Sequence, residues 1–393
     1  MGGSRFLPFQ EILLRESTVD VQLWAVRAMS DLASRVKQYG LTQVYCSPEK
    51  PLVDIVFVHG LNGHPYNTWA SSNGTFWPAD LLPEILGPNR VRILTYGYNA
   101  NVTAFTDGAS KDRIHNHAET LASGLAANRN LRSCSDRPII FVCHSLGGLV
   151  VKRTLIYCRN VSNEKIEHLR SIYVSTYGIL FLGTPHNGSD VAKWGLLLQN
   201  ICSVVMPKKF MESSPHLVKA LKTNNETLQN INSLFADITS RFHIYFFHET
   251  LSSDVKGTRE LIVDESSAAP YAEGVERMGI EADHRHMCKF DDDNSPGYEA
   301  VAEALLRYSR DAPNTIADRW VEEDKTRRVQ KQTKIREIFS HDRIEPEQLG
   351  RSVPDLRTIG RTPLLSDHSS SVTLREYEIE EPPESSVHHS RHV

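Results

Sequence analysis

The chain has 393 residues, 40% hydrophobic and 23% charged, which is typical of a globular protein long enough to bury a full core. A formal net charge of -4 and a pI near 6.5 argue against a nucleic-acid-binding surface, so no nucleic acid partner is expected. No apolar run reaches the roughly 18–20 residues of a membrane-spanning helix. The six cysteines show neither a CxxC pair nor metal-ligand spacing, so we expect reduced thiols and neither a metal nor an organic cofactor.

Helices and buried strands are predicted to alternate along most of the chain. This alternation implies right-handed crossovers and a mostly parallel central sheet with helices on both faces. Helical spacing of apolar residues predicts helices at 17–40, 76–86, 113–129, 145–158, 191–206, 214–236 and 295–310. Dense apolar runs predict strands at 42–46, 54–60, 90–98, 137–143, 177–185, 241–250 and 259–265, the last of these closing the sheet.

The composition divides the chain into three parts. Residues 1–50 are predicted to supply a helix and the first strand, packed on a core formed by residues 51–310. Within this core, residues 190–236 interrupt the alternation and are predicted to form a helical, lid-like insertion. Residues 311–393 are rich in charge, serine and proline, and we expect a disordered tail with at most a transient helix.

The stretch "FVCHSLGGLV" predicts a strand that turns sharply into a helix around Ser145. Such an elbow holds a serine in a strained conformation, so that its hydroxyl projects above the sheet as a nucleophile. The residues around the turn must be small, which Gly147 satisfies and which Cys143 satisfies as a small hydrophobe. His144 completes the elbow. A structural serine in a glycine-rich turn is the alternative interpretation, and Cys143 or Cys288 as nucleophile is a weaker one.

A second motif, "VFVHGLNG", places His59 and Gly60 at the end of another buried strand. Parallel strands end at one edge of the sheet, so this loop should face Ser145. Acyl transfer needs backbone N–H groups aimed at a developing oxyanion. We expect the N–H groups of Leu61 and Leu146 to form that oxyanion hole, with His59 and Gly60 shaping its loop.

A base and an acid are predicted further along the chain. The stretch "EADHRHMCKF" offers His284 as the general base, with His286 as a rival. The acid that orients this histidine should follow the penultimate strand, where Glu249 ends "RFHIYFFHE". Other carboxylates keep the same order along the chain and stay as alternatives: Asp254, Glu260 and Asp264.

These linked motifs resemble those of the serine-active-site-containing, or SERAC-type, α/β-hydrolases over about residues 50–310. The matching segments are "VFVHGLNGHPYNTW", "VCHSLGGLVVK", "FLGTPHNGSD", "FFHET" and "ADHRHMCKF". The wider group includes fungal lipase-like proteins and GPI inositol deacylases. The resemblance implies an α/β-hydrolase fold, with Ser145 as nucleophile, His284 as base, Glu249 as acid and His59 to Leu61 as the oxyanion loop.

The resemblance further implies a serine esterase or lipase acting on carboxylic esters, with acyl lipids as the expected substrates. A non-catalytic binding or scaffold module is one alternative, and an ester or lactone hydrolase of a fungal biosynthetic pathway is another. Without a recognisable secretory signal, we expect an intracellular protein, cytoplasmic or peripheral on a mitochondrial or endoplasmic reticulum membrane. Peripheral contact of the insertion with a membrane is left open, and so is the oligomeric state.

Overall fold

The computed structural model describes residues 32–101, 113–186, 225–255 and 257–341, together with residues 197, 200, 201, 203 and 204. The chain divides into two compact units, residues 1–334 and 335–393. Residues 335–341 are the described part of the second unit, and they are helical. The predicted helix at 17–40 falls mostly outside the described residues, and so does most of the predicted insertion at 190–236.

The order of helices and strands follows the predicted alternation through most of the described chain. The strands are β1 (Gly40–Cys46), β2 (Val53–Val58), β3 (Val91–Gly97), β4 (Ile139–His144), β5 (Thr176–Leu182), β6 (His243–Glu249), β7 (Ser253–Val255), β8 (Thr258–Glu260) and β9 (Val275–Ile280). The α-helices are α1 (Trp77–Asp80), α2 (Leu82–Leu86), α3 (Arg113–Asn130), α4 (Gly147–Arg159), α5 (Arg170–Ser175), α6 (Asn225–Ala236), α7 (Glu265–Ala268) and α8 (Tyr298–His341). Short 3-10 helices occupy Gly87–Asn89, Glu164–Leu169 and Thr239–Arg241.

Seven of these strands form one sheet in the order β1-β3-β2-β4-β5-β6-β9. All neighbours pair in parallel except β1, which runs antiparallel to β3. Strands β2, β3, β4 and β5 are buried along their whole length, which is expected of strands covered on both faces. The carboxyl ends of the parallel strands therefore meet at one edge.

Alternate side chains of each central strand enter hydrophobic clusters on opposite faces of the sheet. In β2, Val56 and Val58 pack with residues of α3 and α4. Ile55 and Phe57 pack on the other face with residues of α1, α2 and α8. A mostly parallel sheet covered by helices on both faces, with a strand–turn–helix elbow after β4, is the predicted α/β-hydrolase fold.

The predicted last strand is wrong. Residues Thr258–Glu260 pair antiparallel with β7 in a separate two-stranded sheet, and the main sheet closes instead with β9. Strand β9 has the sequence VERMGI and is mostly half-buried, as expected at a sheet edge. The polar residues of β9 interrupt the dense apolar run by which buried strands are predicted. The apolar residues Leu261–Val263 form such a run, although they lie in a loop.

The predicted boundary at residue 310 also differs from the structure. Helix α8 begins at Tyr298 and continues through Pro313 to His341. Beyond residue 310, Ala312 and Ile316 are buried at helical spacing, and Glu323 pairs with Arg170. This part of α8 is therefore stabilised by a narrow buried face and by several ion pairs, although its overall composition is typical of a solvent-exposed chain. No helix among the described residues is long and apolar enough to cross a membrane.

Candidate active site

Ser145 lies in the turn between β4 and α4, at the carboxyl edge of the sheet. Its φ of +51° is in the left-handed region that non-glycine residues rarely adopt. The N–H of Ser145 donates to the carbonyl of Leu182 at the end of β5, at 2.9 Å. A Cβ added to Gly147 would come within 2.4 Å of the carbonyl oxygens of Val58 and His59, so glycine is required where the helix meets β2. The backbone of Ser145 is thus held in a strained turn, as an elbow requires.

Ser145, His284 and Glu249 form one hydrogen-bonded line although they lie far apart in the sequence. Nε2 of His284 lies 3.0 Å from Oγ of Ser145, and Nδ1 of His284 lies 2.8 Å from Oε2 of Glu249. All three side chains are buried. The carboxylate accepts from Nδ1, so Nδ1 carries the ring proton and Nε2 accepts the serine hydroxyl proton. This is the arrangement that can activate a serine nucleophile.

Glu249 ends β6, and its second oxygen is held by the backbone. Oε1 accepts from the N–H of Ile262 and from the N–H of Val263, the latter at 2.9 Å. The segment predicted as the last strand therefore serves to fix this carboxylate. Three backbone and side-chain donors leave the carboxylate one orientation, with Oε2 toward His284.

The alternative carboxylates lie elsewhere. Oδ1 of Asp254 accepts from the N–H of Gly257 in the hairpin, and Glu260 is exposed on β8. Asp264 caps helix α7 by accepting from the N–H of Ser267. None of these three side chains is hydrogen-bonded to His284 in the described structure.

The alternative base and the alternative nucleophiles also lie apart from the serine–histidine contact. His286 is exposed, and its Nδ1 lies 2.7 Å from Oδ1 of Asp283. Burial raises the pKa of the Cys143 thiol well above its usual value, although Lys152 acts in the opposite direction. Burial also raises the pKa of Cys288 to about 12, and its Sγ contacts the carbonyl of Thr68. Both thiols stay protonated near neutral pH and are poor nucleophiles.

The peptide between Gly60 and Leu61 is fixed by hydrogen bonds on its carbonyl. The carbonyl oxygen of Gly60 accepts from Nδ1 of His59 at 2.9 Å and from the N–H of Gly63 at 3.0 Å. Because a trans peptide is planar, the N–H of Leu61 points the opposite way. A Cβ on Gly60 would lie 2.7 Å from Cβ of Ser145, so this peptide borders the serine. Among the described residues, no acceptor is bonded to the Leu61 N–H.

The peptide between Ser145 and Leu146 is fixed in the same manner. The carbonyl oxygen of Ser145 accepts from Oγ1 of Thr184 at 2.9 Å and from the N–H of Gly148 at 3.1 Å. The N–H of Leu146 therefore points away from Thr184, and within the described part of the chain it has no bonded acceptor. The structure thus places two backbone N–H groups, fixed in direction, at the sheet edge that carries Ser145.

His59 is neutral, which its two contacts require. Burial lowers the pKa of His59 to about 4, with the Gly60 carbonyl opposing that shift. Its Nδ1–H donates to this carbonyl, and its Nε2 accepts from the N–H of Tyr98 at 3.4 Å. The ring stacks on Tyr98 with centroids 4.5 Å apart, and the Tyr98 hydroxyl donates to the His59 carbonyl at 2.9 Å.

His144 supports the loop that carries His284. Its Nε2–H donates to the carbonyl oxygen of His284 at 2.8 Å. Burial, with a smaller contribution from the neighbouring His284, lowers the pKa of His144 to about 3. A neutral ring with its proton on Nε2 is thus the form that anchors the backbone of His284.

Sequence reasoning missed two contributors to this site. Thr184 holds the Ser145 peptide, and Tyr98 holds His59. Thr184 belongs to "FLGTPHNGSD", a segment that carries the resemblance but whose residues were given no role. A Gly-Thr pair directly after a buried strand is the sequence signal that could have found it. In the part of the chain that the structure describes, no group of three His, Cys, Asp or Glu side chains is placed to hold a metal ion.

Comparison with curated proteins connects this site to a named group. Protein SERAC1 of Danio rerio is 27% identical over 295 residues, covering 67% of this chain and 41% of that protein. The human SERAC1 protein is 25% identical over 271 residues, covering 64% of this chain and 38% of that protein. The chain is similar to the SERAC1 proteins. The predicted resemblance is therefore confirmed, and the chain spans about two-fifths of the length of the curated relatives that it matches.

The remaining comparisons are with family models and solved structures. No family model matches the chain. A lipase-esterase related protein from Clostridium acetobutylicum is 12% identical, with a TM-score of 0.38 over 69% of this chain and 100% of that one. A monoacylglycerol lipase from Paleococcus ferrophilus is also 12% identical, with a TM-score of 0.37 over 69% of this chain and 98% of that one.

Proposed function

We propose that this protein is a serine hydrolase that cleaves carboxylic esters through an acyl-enzyme on Ser145. The observation that carries the proposal is the line from Ser145 through His284 to Glu249, bordered by two fixed backbone N–H groups. The order of these three residues along the chain, nucleophile then acid then histidine, is that of α/β-hydrolases. Similarity to the SERAC1 proteins, whose family takes its name from a serine active site, supports the same reading.

The first half of the reaction forms the acyl-enzyme. Oγ of Ser145 attacks the ester carbonyl while its proton passes to Nε2 of His284. Glu249 stabilises the resulting imidazolium through Nδ1 and holds the ring in place. The N–H groups of Leu61 and Leu146 bind the oxyanion, and each such donor typically contributes about 3–4 kcal/mol of transition-state stabilisation. The tetrahedral intermediate then collapses, and His284 returns the proton to the leaving alcohol.

The second half of the reaction releases the acid. Water attacks the acyl carbonyl while His284 accepts its proton, and the same N–H groups bind the second oxyanion. Collapse breaks the bond to Ser145 Oγ, which regains a proton from His284. One ester and one water thus yield one acid and one alcohol, and the enzyme is restored.

We propose acyl lipids as the substrate class, on the resemblance to lipases and acyl-lipid hydrolases. A panel of p-nitrophenyl esters from acetate to palmitate, with a phospholipid in mixed micelles, tests this with wild type and Ser145→Ala. We expect hydrolysis that favours long acyl chains and falls by at least about 10⁴-fold in Ser145→Ala. Ser171→Ala is the matched control, because Ser171 is a buried serine whose hydroxyl donates to the carbonyl of His168.

Several outcomes would contradict the proposal. Activity only on short esters would refute lipids as the substrate class while leaving the serine hydrolase in place. Equal activity in Ser145→Ala would refute the role of Ser145. No hydrolysis of any ester by wild type would instead favour the binding or scaffold module.

A further inference from the structure

Lys152 is buried in the middle of α4, two helical turns after Ser145. Its Nζ lies 2.6 Å from Nδ1 of His186 and 2.7 Å from Oδ1 of Asn232 on α6. The rings of Phe181 and Phe235 lie beside the ammonium, with centroids 5.4 and 5.3 Å from Nζ. Two acceptors and two aromatic rings thus occupy the surroundings of this side chain.

The charge of Lys152 is not balanced by an acid. Within the described ranges no carboxylate pairs with Nζ, and the titratable groups that face it are His186 and Cys143. Burial lowers the pKa of Lys152 to about 7, and Cys143 has a smaller opposing effect. An unpaired buried cation is costly. A purely structural tie between α4 and its neighbours would cost less with a neutral amide donor.

Residues 183–186, here called loop 183–186, follow β5 and border the nucleophile, and His186 is the last residue that the structure describes in this segment. Besides the contact with Lys152, its N–H donates to the carbonyl of Ser267 at 2.7 Å. Within the same loop, Thr184 holds the Ser145 carbonyl, and the N–H of Gly183 donates to the Phe247 carbonyl at 2.9 Å. Gly183, Thr184 and His186 are thus each held by a hydrogen bond to another segment.

These contacts form a closed path that begins and ends at the elbow. Helix α4 carries Lys152 and begins directly after the elbow, Lys152 holds His186, and Thr184 of the same loop returns to the Ser145 carbonyl. A displacement of the loop would release the Thr184 bond and leave only the N–H of Gly148 on the Ser145 carbonyl, so the Ser145–Leu146 peptide would be held less firmly. The direction of the Leu146 N–H depends on this peptide.

We propose that Lys152 is a positioning residue for acyl transfer: it holds loop 183–186 so that Thr184 keeps the Leu146 N–H directed at the oxyanion. The proposal rests on the proposed function of Ser145. Lys152 itself touches no reacting atom. Its effect should therefore fall on the chemical step and leave substrate binding nearly unchanged.

Lys152→Met tests the contact between Lys152 and His186, because methionine has a similar length but no hydrogen-bond donor. We expect kcat to fall by about 10- to 100-fold, as small misplacements of catalytic groups do, with KM within about threefold of wild type. Lys165→Met is the matched control, because Lys165 is exposed, and it should match wild type. A kcat of Lys152→Met within about twofold of wild type would overturn the proposal.

The partner residue offers a rescue test. His186→Asn retains an acceptor oxygen near the position of Nδ1, whereas His186→Leu removes it. We expect His186→Asn to keep most of the wild-type kcat and His186→Leu to resemble Lys152→Met. Equal loss in both variants would mean that the imidazole acts by packing alone, against the proposal.

A double-mutant cycle tests the route through Thr184. Thr184→Val removes the hydroxyl that holds the Ser145 carbonyl. If Lys152 acts through this bond, the double variant Lys152→Met/Thr184→Val loses little more kcat than either single variant. Additive losses would show that Lys152 acts by another route and would contradict the proposal.

An NMR measurement separates failure of this inference from failure of the proposed function. Serine labelled with ¹³C at the carbonyl and leucine labelled with ¹⁵N select the peptides Ser145–Leu146 and Ser233–Leu234. We expect the Leu146 amide resonance to shift in the same direction in Lys152→Met and Thr184→Val, and to stay unchanged in Lys165→Met. An unshifted Leu146 resonance in Lys152→Met would overturn the inference even if wild type hydrolyses no ester. An inactive wild type with the expected shifts would refute the proposed function alone.

Discussion

The two ends of the central sheet carry buried polar networks of opposite character. At the amino ends of the strands, Asp54 accepts from Arg92, Arg129 and Arg137 at 2.6–2.9 Å. At the carboxyl ends, Ser145, His284 and Glu249 meet in a line of hydrogen bonds. Both networks draw on the same strands, since Asp54 is the second residue of β2 and His59, beside the other network, directly follows that strand.

The two networks differ in the hydrogen-bonding groups that each leaves without a partner. Burial alone would raise the pKa of Asp54, but the three arginines outweigh it and hold the pKa below its usual value. Nη2 of Arg129 donates to the carbonyls of Ser135 and Arg137, whereas its buried Nε has no partner in the described structure. At the other end, the described chain leaves the N–H groups of Leu61 and Leu146 without acceptors. We therefore expect the first network to stabilise the fold, and we propose that the second binds the charge that develops during ester hydrolysis.

The largest expected effect is a loss of kcat that distinguishes Glu249, the acid of the site, from Glu260, a carboxylate outside it. Glu249→Gln should lower kcat by about 10³- to 10⁴-fold, because an amide cannot stabilise the imidazolium or select its tautomer. Glu260→Gln, on the exposed strand β8, should keep wild-type kcat. Steady-state kinetics on one ester compares the two variants, and a larger loss in Glu260→Gln would make Glu260 the acid.

The second prediction concerns the amino ends. Asp54→Asn leaves three arginines without their counter-charge, so the free energy of unfolding should fall by about 3–5 kcal/mol. Urea unfolding measures this loss, with Asp136→Asn as the exposed control. The kcat of the folded Asp54→Asn fraction should stay near wild type. A loss below about 1 kcal/mol, or a tenfold loss of kcat in the folded fraction, would break the division between the two networks.

The third prediction uses the unbalanced charge of Lys152. Above pH 7 this side chain is neutral in the folded protein, whereas in the unfolded chain it stays protonated up to about pH 10. The unfolded state then binds more protons, so stability rises with pH. Relative to Lys152→Met, wild type should gain about 2 kcal/mol between pH 7 and pH 9. A difference independent of pH, measured by urea unfolding, would show that Lys152 titrates outside this range.

The smallest expected effect concerns Cys143, which stands two residues before Ser145 in the elbow. Cys143 is buried at the end of β4 with its thiol protonated. Cys143→Ala should therefore change kcat by less than about threefold, like Cys158→Ala on α4. Loss of activity in Cys143→Ala with activity intact in Cys158→Ala would revive Cys143 as a nucleophile.

Much of the fold followed from the sequence because the central strands are buried on both faces. Their dense apolar runs mark β2, β4 and β5 clearly. The edge strand β9 lacks this signal, since most of its side chains are only half-buried and polar residues interrupt its sequence. The continuation of α8 past residue 310 depends on a narrow buried face and on ion pairs. The overall composition of residues 311–393 does not reveal these few residues, because it is an average over the whole segment.

The candidate site, like the fold, has residues that the sequence predicts and residues that it does not. Ser145, His284 and Glu249 could be proposed from motif order, because the fold brings the carboxyl ends of their strands together. The contacts that we propose to direct the Leu146 N–H could not, since Thr184 and Lys152 contact segments that only the folded chain brings to them. Both residues lie in segments that match the SERAC-type motifs, but their residue types alone do not indicate these contacts.

Reaction of Ser145 with a fluorophosphonate tests the central claim most directly. Intact-mass spectrometry and peptide mapping would locate the adduct in wild type, Ser145→Ala and His284→Gln. The account predicts one adduct on Ser145 in wild type, none in Ser145→Ala, and labelling at least about 100-fold slower in His284→Gln. An unlabelled wild type, or an adduct of equal yield on another residue in Ser145→Ala, would contradict it.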